Sequence, residues 1–300
     1  MADASGPAVV ALGGGHGLAV TLQAAQRYAG ALTAVVSVAD DGGSSGRLRR
    51  ELDVVPPGDL RKCLVATAAP DNVWARAFAH RFGGGELAGH ALGNLVLVGL
   101  TETLGDLGAA LDETAAVLGS HARVRPATTE RVVLKAQVDG EGDHREVEGQ
   151  VAVMETRGRI CSIELVPSDA PADPVAIEAI AGADQVVLAP GSLFTSLLPA
   201  LLVPEIRRAV NETQGQVVQV GNLAPQIPET EGLDGVDHLR AVLEHGARVD
   251  VLVSAADGLL DVDEAAVAAL GVRSLRTKLA VPGTPNHDPA QLAEVLAHLL

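Results

Sequence analysis

Ala8-Val9-Val10-Ala11-Leu12 runs without a polar residue into Gly13-Gly14-Gly15-His16-Gly17, and a helical pattern then lasts from Leu18 to Tyr28. An apolar run of strand length, a glycine loop and a helix are the opening of an α/β unit. Leu32 to Val38 is a second, Val-rich run of the same kind. The short helix between them makes a right-handed crossover to a parallel neighbour the expected connection. The second run leads into Ala39-Asp40-Asp41-Gly42-Gly43-Ser44-Ser45-Gly46-Arg47, so both opening strands end in a glycine-polar junction.

Working outward, helices are expected over 58–68 after the Pro56-Pro57 stop, and over 73–82, 90–104 and 107–118. From Arg123 to Val166 the texture becomes alternating, as in Arg131-Val132-Val133-Leu134-Lys135-Ala136-Gln137-Val138. Period two with charged partners predicts half-solvated antiparallel strands, a small lobe inserted between two α/β halves. The mixed-charge run from Gly140 to Glu148 reads as a solvated hairpin tip. After Pro167, Pro171 and Pro174 the α/β texture returns, with strands expected at 185–188, 216–220 and 250–254 and helices at 174–181, 192–210 (broken), 238–245 and 289–299. The expected organisation is a first nucleotide-binding half at 1–122, the lobe at 123–167, and a second half at 168–300 that completes the same sheet.

Setting 38 acidic against 22 basic side chains leaves a formal charge of -16. Such a surface repels bare phosphate backbones and anionic membranes, so a nucleic-acid polymer is not an expected partner. Tyr28, Trp74, Phe78, Phe82 and Phe194 are the only large aromatic residues. The core must therefore be built from Ala, Val, Leu and Ile, and base-stacking platforms are unavailable. Cys63 and Cys161 are too few and too far apart for a disulfide framework or a Cys-rich zinc site. The start, Met1 to Pro7, has neither a basic n-region nor an apolar h-region, and the apolar stretch Leu92 to Leu104 is shorter than the ~20 residues of a membrane span. A cytoplasmic protein without membrane insertion is expected.

The glycine loop fits neither standard phosphate motif. A G-x-G-x-x-G fingerprint from Gly13 would need glycine where Leu18 stands, and no Gly-Lys-Ser/Thr ending follows. Its physics remains: glycines after a strand let backbone N–H groups approach an anion, and the next helix N-terminus adds a favourable dipole. Asp40 and Asp41, at the end of the second strand, stand where an acid accepts from ribose hydroxyls, or where it caps the next turn. Gly42 to Gly46 with Arg47 offers amides, hydroxyls and a guanidinium to phosphate. Two further junctions, Ala189-Pro190-Gly191-Ser192-Leu193-Phe194-Thr195-Ser196 and Gly221-Asn222-Leu223-Ala224-Pro225-Gln226, follow expected strands. Parallel strands would open all four junctions onto one crevice, although Ser192 is also an ordinary helix cap. No histidine spacing suits a metal site and no G-x-S-x-G elbow occurs; magnesium between Asp40, Asp41 and a ligand's diphosphate is the open metal reading.

These blocks, with Pro56-Pro57-Gly58-Asp59-Leu60-Arg61 and Gly89-His90-Ala91-Leu92-Gly93-Asn94-Leu95, occur in an order that resembles the gluconeogenesis factor family. That family is the YvcK-like branch of the group containing the 2-phospho-L-lactate transferase CofD. His16, where many relatives carry Thr, and the high Ala and Val content look like an actinobacterial member. The resemblance spans nearly the whole chain, and its most specific block is Asp40 to Arg47. It implies a cytoplasmic protein with a Rossmann-like core that binds UDP-sugars, notably UDP-N-acetylglucosamine. It also implies a role in cell shape during gluconeogenic growth, linked to peptidoglycan precursor supply. Relatives carry an Arg before the His-Asp that aligns with His287-Asp288, and a C-terminal Tyr; here Asn286 fills the first position and no tyrosine follows Tyr28. The C-terminal tail with regulatory threonines found in some relatives is not matched by a chain ending at Leu300.

The expected molecule is thus a three-layer Rossmann-like α/β protein: a mostly parallel sheet with helices on both faces and an inserted antiparallel lobe. The ligand-binding set is Gly13, Gly14, Gly15, His16, Gly17, Asp40, Asp41, Gly42, Gly43, Ser44, Ser45, Arg47, Asn94, Gly191, Ser192, Thr195 and Asn222. Gly14, Gly15 and His16 would meet the diphosphate, and Asp40 or Asp41 the ribose or a metal. Ser44, Ser45 and Arg47 would clamp phosphate or sugar, while Asn94, Ser192, Thr195 and Asn222 line the uracil or sugar end. No required cofactor is expected beyond the UDP-sugar. An amino-sugar or cell-wall enzyme is the expected protein partner, with a homodimer open. A regulatory binding protein ranks first, and a phospholactyl-type transferase with a deazaflavin acceptor second.

Overall fold

Gly13, directly after the opening apolar run, ends an interior strand of a seven-stranded sheet. The computed structural model describes residues 6–140 and 144–300. Its strands are β1 (Ala8–Gly13), β2 (Ala31–Val36), β3 (Ala122–Pro126), β4 (Val133–Asp139), β5 (His144–Glu148), β6 (Arg159–Val166), β7 (Gln185–Leu188), β8 (Gln216–Val220), β9 (Val251–Ala255) and β10 (Arg273–Thr277). The main sheet has the order β10-β9-β8-β7-β1-β2-β3, parallel throughout. β1 pairs with β2 (Leu12 opposite Val35) and with β7 (Leu12 opposite Leu188), which is why it carries no polar residue. A strand covered on both faces and both edges has no solvated side to supply alternation.

The chain runs from β1 outward through β2 to β3, then returns to the other side of β1 and runs outward again from β7 to β10. The order reverses between β1 and β7. At such a reversal the two strand-exit loops part, leaving a crevice beyond the carboxyl ends. Helix Gly15–Ala25 packs against helices Gly58–Ala66 and Pro289–His298, closing the chain's last helix onto its first. Val9, Val10, Leu12, Val35, Val187, Val218 and Val253 are all at most 2% exposed, so the aliphatic core expected from the scarcity of aromatics is present.

β4, β5 and β6 form the separate antiparallel sheet of the lobe, in the order β5-β4-β6. The structure departs from the sequence pattern in three places. The alternation that places Arg123 to Pro126 in the lobe instead belongs to β3, which pairs in parallel with β2 in the main sheet. Its charged positions mimic the lobe pattern: in this edge strand only Arg123 is exposed, while Arg125 is buried and donates to the Gly108 carbonyl and to Asp112. The second strand ends at Val36, before Val38. Gly43–Leu52 is a helix instead of a glycine loop: Gly42 is its N-cap, and Ser44, Ser45, Gly46 and Leu48 form its buried side. The tip of the expected hairpin, 141–143, lies outside the described residues, as do 1–5 of the leader reading.

Candidate functional site

Two glycine loops meet at the reversal. A Cβ on Gly17 would lie 1.7 Å from the Pro190 carbonyl oxygen, so only glycine lets the exits of β1 and β7 come this close. The loop after β8 then braces the loop after β7. Gly191 donates its amide to Asn222 Oδ1 at 2.7 Å, and Asn222 Nδ2 donates to the Gly191 carbonyl at 2.9 Å. Behind them, buried His287 places Nε2 3.2 Å from the Gly221 carbonyl. A carbonyl can only accept, so Nε2 carries the proton. Burial holds this imidazole below its ordinary pKa, against the Gly221 bond and the Asp257 charge, which raise it.

The crevice consists of two chambers joined at a waist. The outer chamber, about 680 Å³, is lined by the helix side of Ala19, Val20 and Gln23, by Asn222 to Gln226, and by Pro285, Asn286, His287 and Pro289. It has no carboxylate, lysine or arginine among its lining residues. The inner chamber, about 520 Å³, is lined by Ser37, Asp40, Asp59, Lys62, Ser192, Thr195 and Ser196, and by the short lobe helix through Gln150, Val151, Met154 and Glu155. His16, Gly17, Gly191 and Gln226 belong to both chambers and form the waist. Helix Gly15–Ala25 starts there with a glycine, Gly14, as its N-cap residue and no acid of its own in the first turn. The amides of His16 and Gly17 have no intrahelical acceptor, and the dipole's positive end faces the waist. Gln226 Oε1 is buried beside it without a hydrogen-bond partner.

Four carboxylates settle what the other backbone donors do. Asp59 Oδ2 accepts from the Gly15 amide at 2.7 Å, while its Oδ1 accepts from Lys62 Nζ at 2.8 Å. Asp41 accepts from the Gln150 and Val151 amides at 3.0 and 2.9 Å, capping the lobe helix Gln150–Glu155. Glu229, almost fully buried, accepts from the Phe194 and Thr195 amides at 2.8 and 3.2 Å and from Thr195 Oγ1 at 3.2 Å. It thereby closes the first turn of the π-helical segment Leu193–Leu197. Burial raises its pKa, which these donors partly offset. Asp40 Oδ1 accepts from the Gly42 amide at 2.9 Å. Burial raises the Asp40 pKa against the pull of the Gly42 bond, and the neighbouring Asp59 charge raises it further.

The expected site residues separate accordingly. Gly14, Gly15, His16, Gly17, Asp40, Gly42, Gly43, Gly191, Ser192 and Thr195 line the inner chamber, and Asn222 lines the outer one. Gly13 lies below, its carbonyl accepting from the Ser37 amide. Asp41 takes its capping role through both oxygens, while Asp40 faces the inner chamber. Among the described residues no group of three or more His, Cys, Asp or Glu is arranged to hold a metal. Ser44 and Asn94 point away from the groove into a buried chain. There Arg61 Nε donates to Asn94 Oδ1 at 2.9 Å, Asn94 Nδ2 donates to Ser44 Oγ at 3.0 Å, and Ser44 Oγ lies 3.0 Å from His90 Nδ1. Arg47 Nη2 donates to the Ala88 carbonyl at 2.7 Å, and Ser45 is buried beneath Asp40 against Gly58. These four support the helix whose N-terminus reaches the groove. Asp59, Lys62, Ser37, Ser196, Gln226 and Glu155 also line the groove, outside the expected binding set. The available signal was Pro56-Pro57-Gly58-Asp59, a stop followed by an acid in the first turn of a helix.

Comparison with known proteins follows the whole chain. The sequence profile of the 2-phospho-L-lactate transferase CofD family matches residues 9–295. A relative from Mycobacterium tuberculosis (strain ATCC 25618 / H37Rv) bearing a gluconeogenesis-factor name is 46% identical over 303 residues, covering 96% of this chain and 89% of its own. The "Gluconeogenesis factor" of Bacillus subtilis (strain 168) is 35% identical over 314 residues, covering 98% of both. The crystal structure of a UPF0052-family protein from Bacillus halodurans superposes with a TM-score of 0.91 at 35% identity, covering 96% of this chain and 97% of that one. Among the described residues no helix is long and apolar enough to cross a membrane.

Proposed function

The chain belongs to the 2-phospho-L-lactate transferase CofD family and is similar throughout to the gluconeogenesis factors, and from that premise we propose that it is a regulatory protein that binds a UDP-sugar, UDP-N-acetylglucosamine first among them. One observation carries the reading: the N-terminus of helix Gly15–Ala25, its first amide held by Asp59 and its His16 and Gly17 amides unclaimed, stands at the waist between a neutral chamber and a polar one. A diphosphate at the waist would accept from the His16 and Gly17 amides. The uracil would extend into the outer chamber, where Gln23, Asn222, Gln226 and Asn286 offer amide groups and Val20, Leu223 and Pro225 offer aliphatic surface. The sugar would enter the inner chamber, whose carboxylates and the hydroxyls of Ser37, Ser192 and Ser196 suit sugar hydroxyls. A neutral base chamber also explains how a chain of charge -16 accommodates an anionic ligand, since backbone donors supply the attraction locally.

The relatives' names support a role in gluconeogenic growth; beyond those names, the proposed role extends to control of cell shape through peptidoglycan precursor supply, by ligand-dependent contact with an amino-sugar or cell-wall enzyme in the cytoplasm. Thermal shift and calorimetry with UDP-N-acetylglucosamine, UDP-glucose and GDP test the binding. Stabilisation by the two UDP-sugars above that by GDP is expected, and no nucleotide-dependent stabilisation at millimolar ligand would end the proposal.

A second reading, phospholactyl-type transfer to a deazaflavin, draws on the family match and on the inner chamber beside Asp40. Neither chamber has Phe, Tyr or Trp among its lining residues, so a planar acceptor would find no aromatic face. Mass spectrometry of a reaction with a lactyl-guanylyl diphosphate donor and the deazaflavin decides it.

A further inference from the structure

We propose, resting on the nucleotide-sugar reading, that Gln226 reads the ribose: its side-chain carbonyl accepts from a ribose hydroxyl at the waist, so the groove selects ribonucleotides over their deoxy counterparts. Gln226 Oε1 is buried and has no hydrogen-bond partner. A buried acceptor left unpaired costs free energy, which a ligand recovers when it brings a donor to that point. The backbone that carries this side chain is fixed. The Gln226 amide donates to Thr230 Oγ1 at 2.8 Å, and the Thr230 amide donates to the Gln226 carbonyl at 2.7 Å. Thr230 is fully buried, and its neighbour Glu229 holds the Phe194 and Thr195 amides. The turn is thus anchored beside the inner chamber, while Gln226 lines both chambers.

The order of groups along a nucleotide sugar decides which donor meets this oxygen. The ribose joins the base to the diphosphate. With the diphosphate on the His16 and Gly17 amides and the base in the outer chamber, the ribose lies where that chamber meets the waist. Its hydroxyls need acceptors, yet the outer chamber has no Asp, Glu, Ser, Thr or Tyr among its lining residues. Asn222 is engaged with Gly191 through both polar atoms of its side chain, and His287 gives Nε2 to the Gly221 carbonyl. Gln23 stands seven residues along the helix from His16, about 10 Å further from the diphosphate, and Asn286 is exposed. Of the four waist residues two are glycines and His16 is exposed, which leaves Gln226 with the buried side-chain acceptor. The acid that reads a ribose in many parallel-sheet nucleotide sites follows the second strand. Here that position holds Asp41, spent as a cap, and Asp40, which lines the inner chamber. The sugar beyond the waist has acceptors of its own in Asp40, Asp59 and Glu155, and does not depend on this amide.

Isothermal titration of the full chain with UDP-glucose and with its 2′-deoxyribose and 3′-deoxyribose counterparts tests the assignment, because each counterpart lacks one hydroxyl. At least one of them should bind about fivefold or more weakly than UDP-glucose, the size of one hydrogen bond to an otherwise unpaired acceptor. Gln226→Met keeps the length of the side chain and removes the acceptor. In that variant UDP-glucose should weaken by a similar factor, and the difference between ribose and deoxyribose should vanish. Without ligand the variant should unfold at the same temperature as the native chain or a higher one, since a buried oxygen without a partner has been removed. Equal affinities for all three compounds in the native chain would overturn the inference while leaving the nucleotide-sugar reading in place. So would a difference between ribose and deoxyribose that survives Gln226→Met, or a loss that appears only when the 2-hydroxyl of the glucose is removed. Failure of UDP-glucose itself to bind would remove that reading and the inference with it.

Discussion

Val151 donates its amide to the Asp41 carboxylate at 2.9 Å, across 110 residues of chain. The exit of β2 thus holds down the first turn of the lobe helix, and the lobe is positioned over the groove by a side chain from the first half. Gly149, which precedes this helix, has a backbone φ of +99°, and a Cβ there would lie 2.5 Å from Asp41 Oδ2. The carboxylate is enclosed by backbone on the lobe side, so its neighbour Asp40 alone faces the chamber.

Asp41→Ala removes the acceptor for two amides. We predict a loss of about 1 kcal/mol in global stability, the usual size for a lost helix cap, measured by urea unfolding. Hydrogen exchange at Gln150 and Val151 should accelerate first. Because Gln150, Val151, Met154 and Glu155 line the inner chamber, the same variant should bind a UDP-sugar more weakly. Unchanged exchange at those amides would show that the lobe helix is held by other contacts.

Gly17→Ala and Gly15→Ala separate crowding from backbone strain. At Gly17 the added carbon would meet the Pro190 carbonyl, and the two strand exits must move apart. At Gly15 nothing lies within 4 Å, and the cost is that of a left-handed φ of +62°, about 1–2 kcal/mol. Gly17→Ala should therefore be the more destabilising of the two by thermal unfolding, and should abolish nucleotide-dependent stabilisation. Equal losses would mean that the waist tolerates separation of the loops.

His238 gives the fold a dependence on pH. It is 3% exposed, its Nε2 has no partner, and burial lowers its pKa to about 4 despite Asp237 and Asp234 nearby. A histidine with a depressed folded pKa binds its proton more readily in the unfolded chain, so stability is lost as pH falls from the ordinary value of 6.5 toward about 4. The shift corresponds to about 3 kcal/mol at the acid end of that window. His238→Phe should flatten this part of the urea-unfolding profile between pH 7 and pH 4, and an unaltered slope would assign the acid sensitivity elsewhere.

The buried parallel strands were legible because burial on both faces writes them as short, mostly apolar runs: Ala8 to Leu12 is unbroken, and Gln185 to Leu188 and Gln216 to Val220 are Val-rich with glutamine as the only kind of polar residue. The block Gly42 to Gly46 was not legible as a helix. Glycine and serine are weak helix formers, and the burial that overrides them comes from His90 and Asn94, far along the chain. Likewise adjacent Asp40 and Asp41 look equivalent in sequence, and only the arrival of Val151 separates a chamber wall from a cap. Asp59 and Glu229 reach backbone amides 44 and 35 residues away. Such pairings leave no local pattern, so the carboxylates that occupy the donors have no signature in the sequence, whereas the donors themselves are recognisable from glycines and helix starts.

Asn222 offers the sharpest test of the waist, because its two hydrogen bonds to one residue run in opposite directions. Oδ1 accepts from the Gly191 amide and Nδ2 donates to the Gly191 carbonyl. Asn222→Asp preserves shape and the first bond but turns the second into a contact between two oxygens, which repel. Asn222→Ala removes both bonds and leaves the Gly191 groups open to water in the groove. For a part-buried pair the alanine variant should cost about 1–2 kcal/mol, and the aspartate variant at least as much despite its smaller change in shape. Both should weaken UDP-sugar binding, since Gly191 belongs to the waist, and the aspartate variant more strongly, because it adds a negative charge to an otherwise uncharged chamber beside the expected diphosphate. Calorimetry on the two variants reads this order directly; an aspartate variant that binds as well as the native chain would show that neither the brace nor the neutrality of the outer chamber governs the ligand.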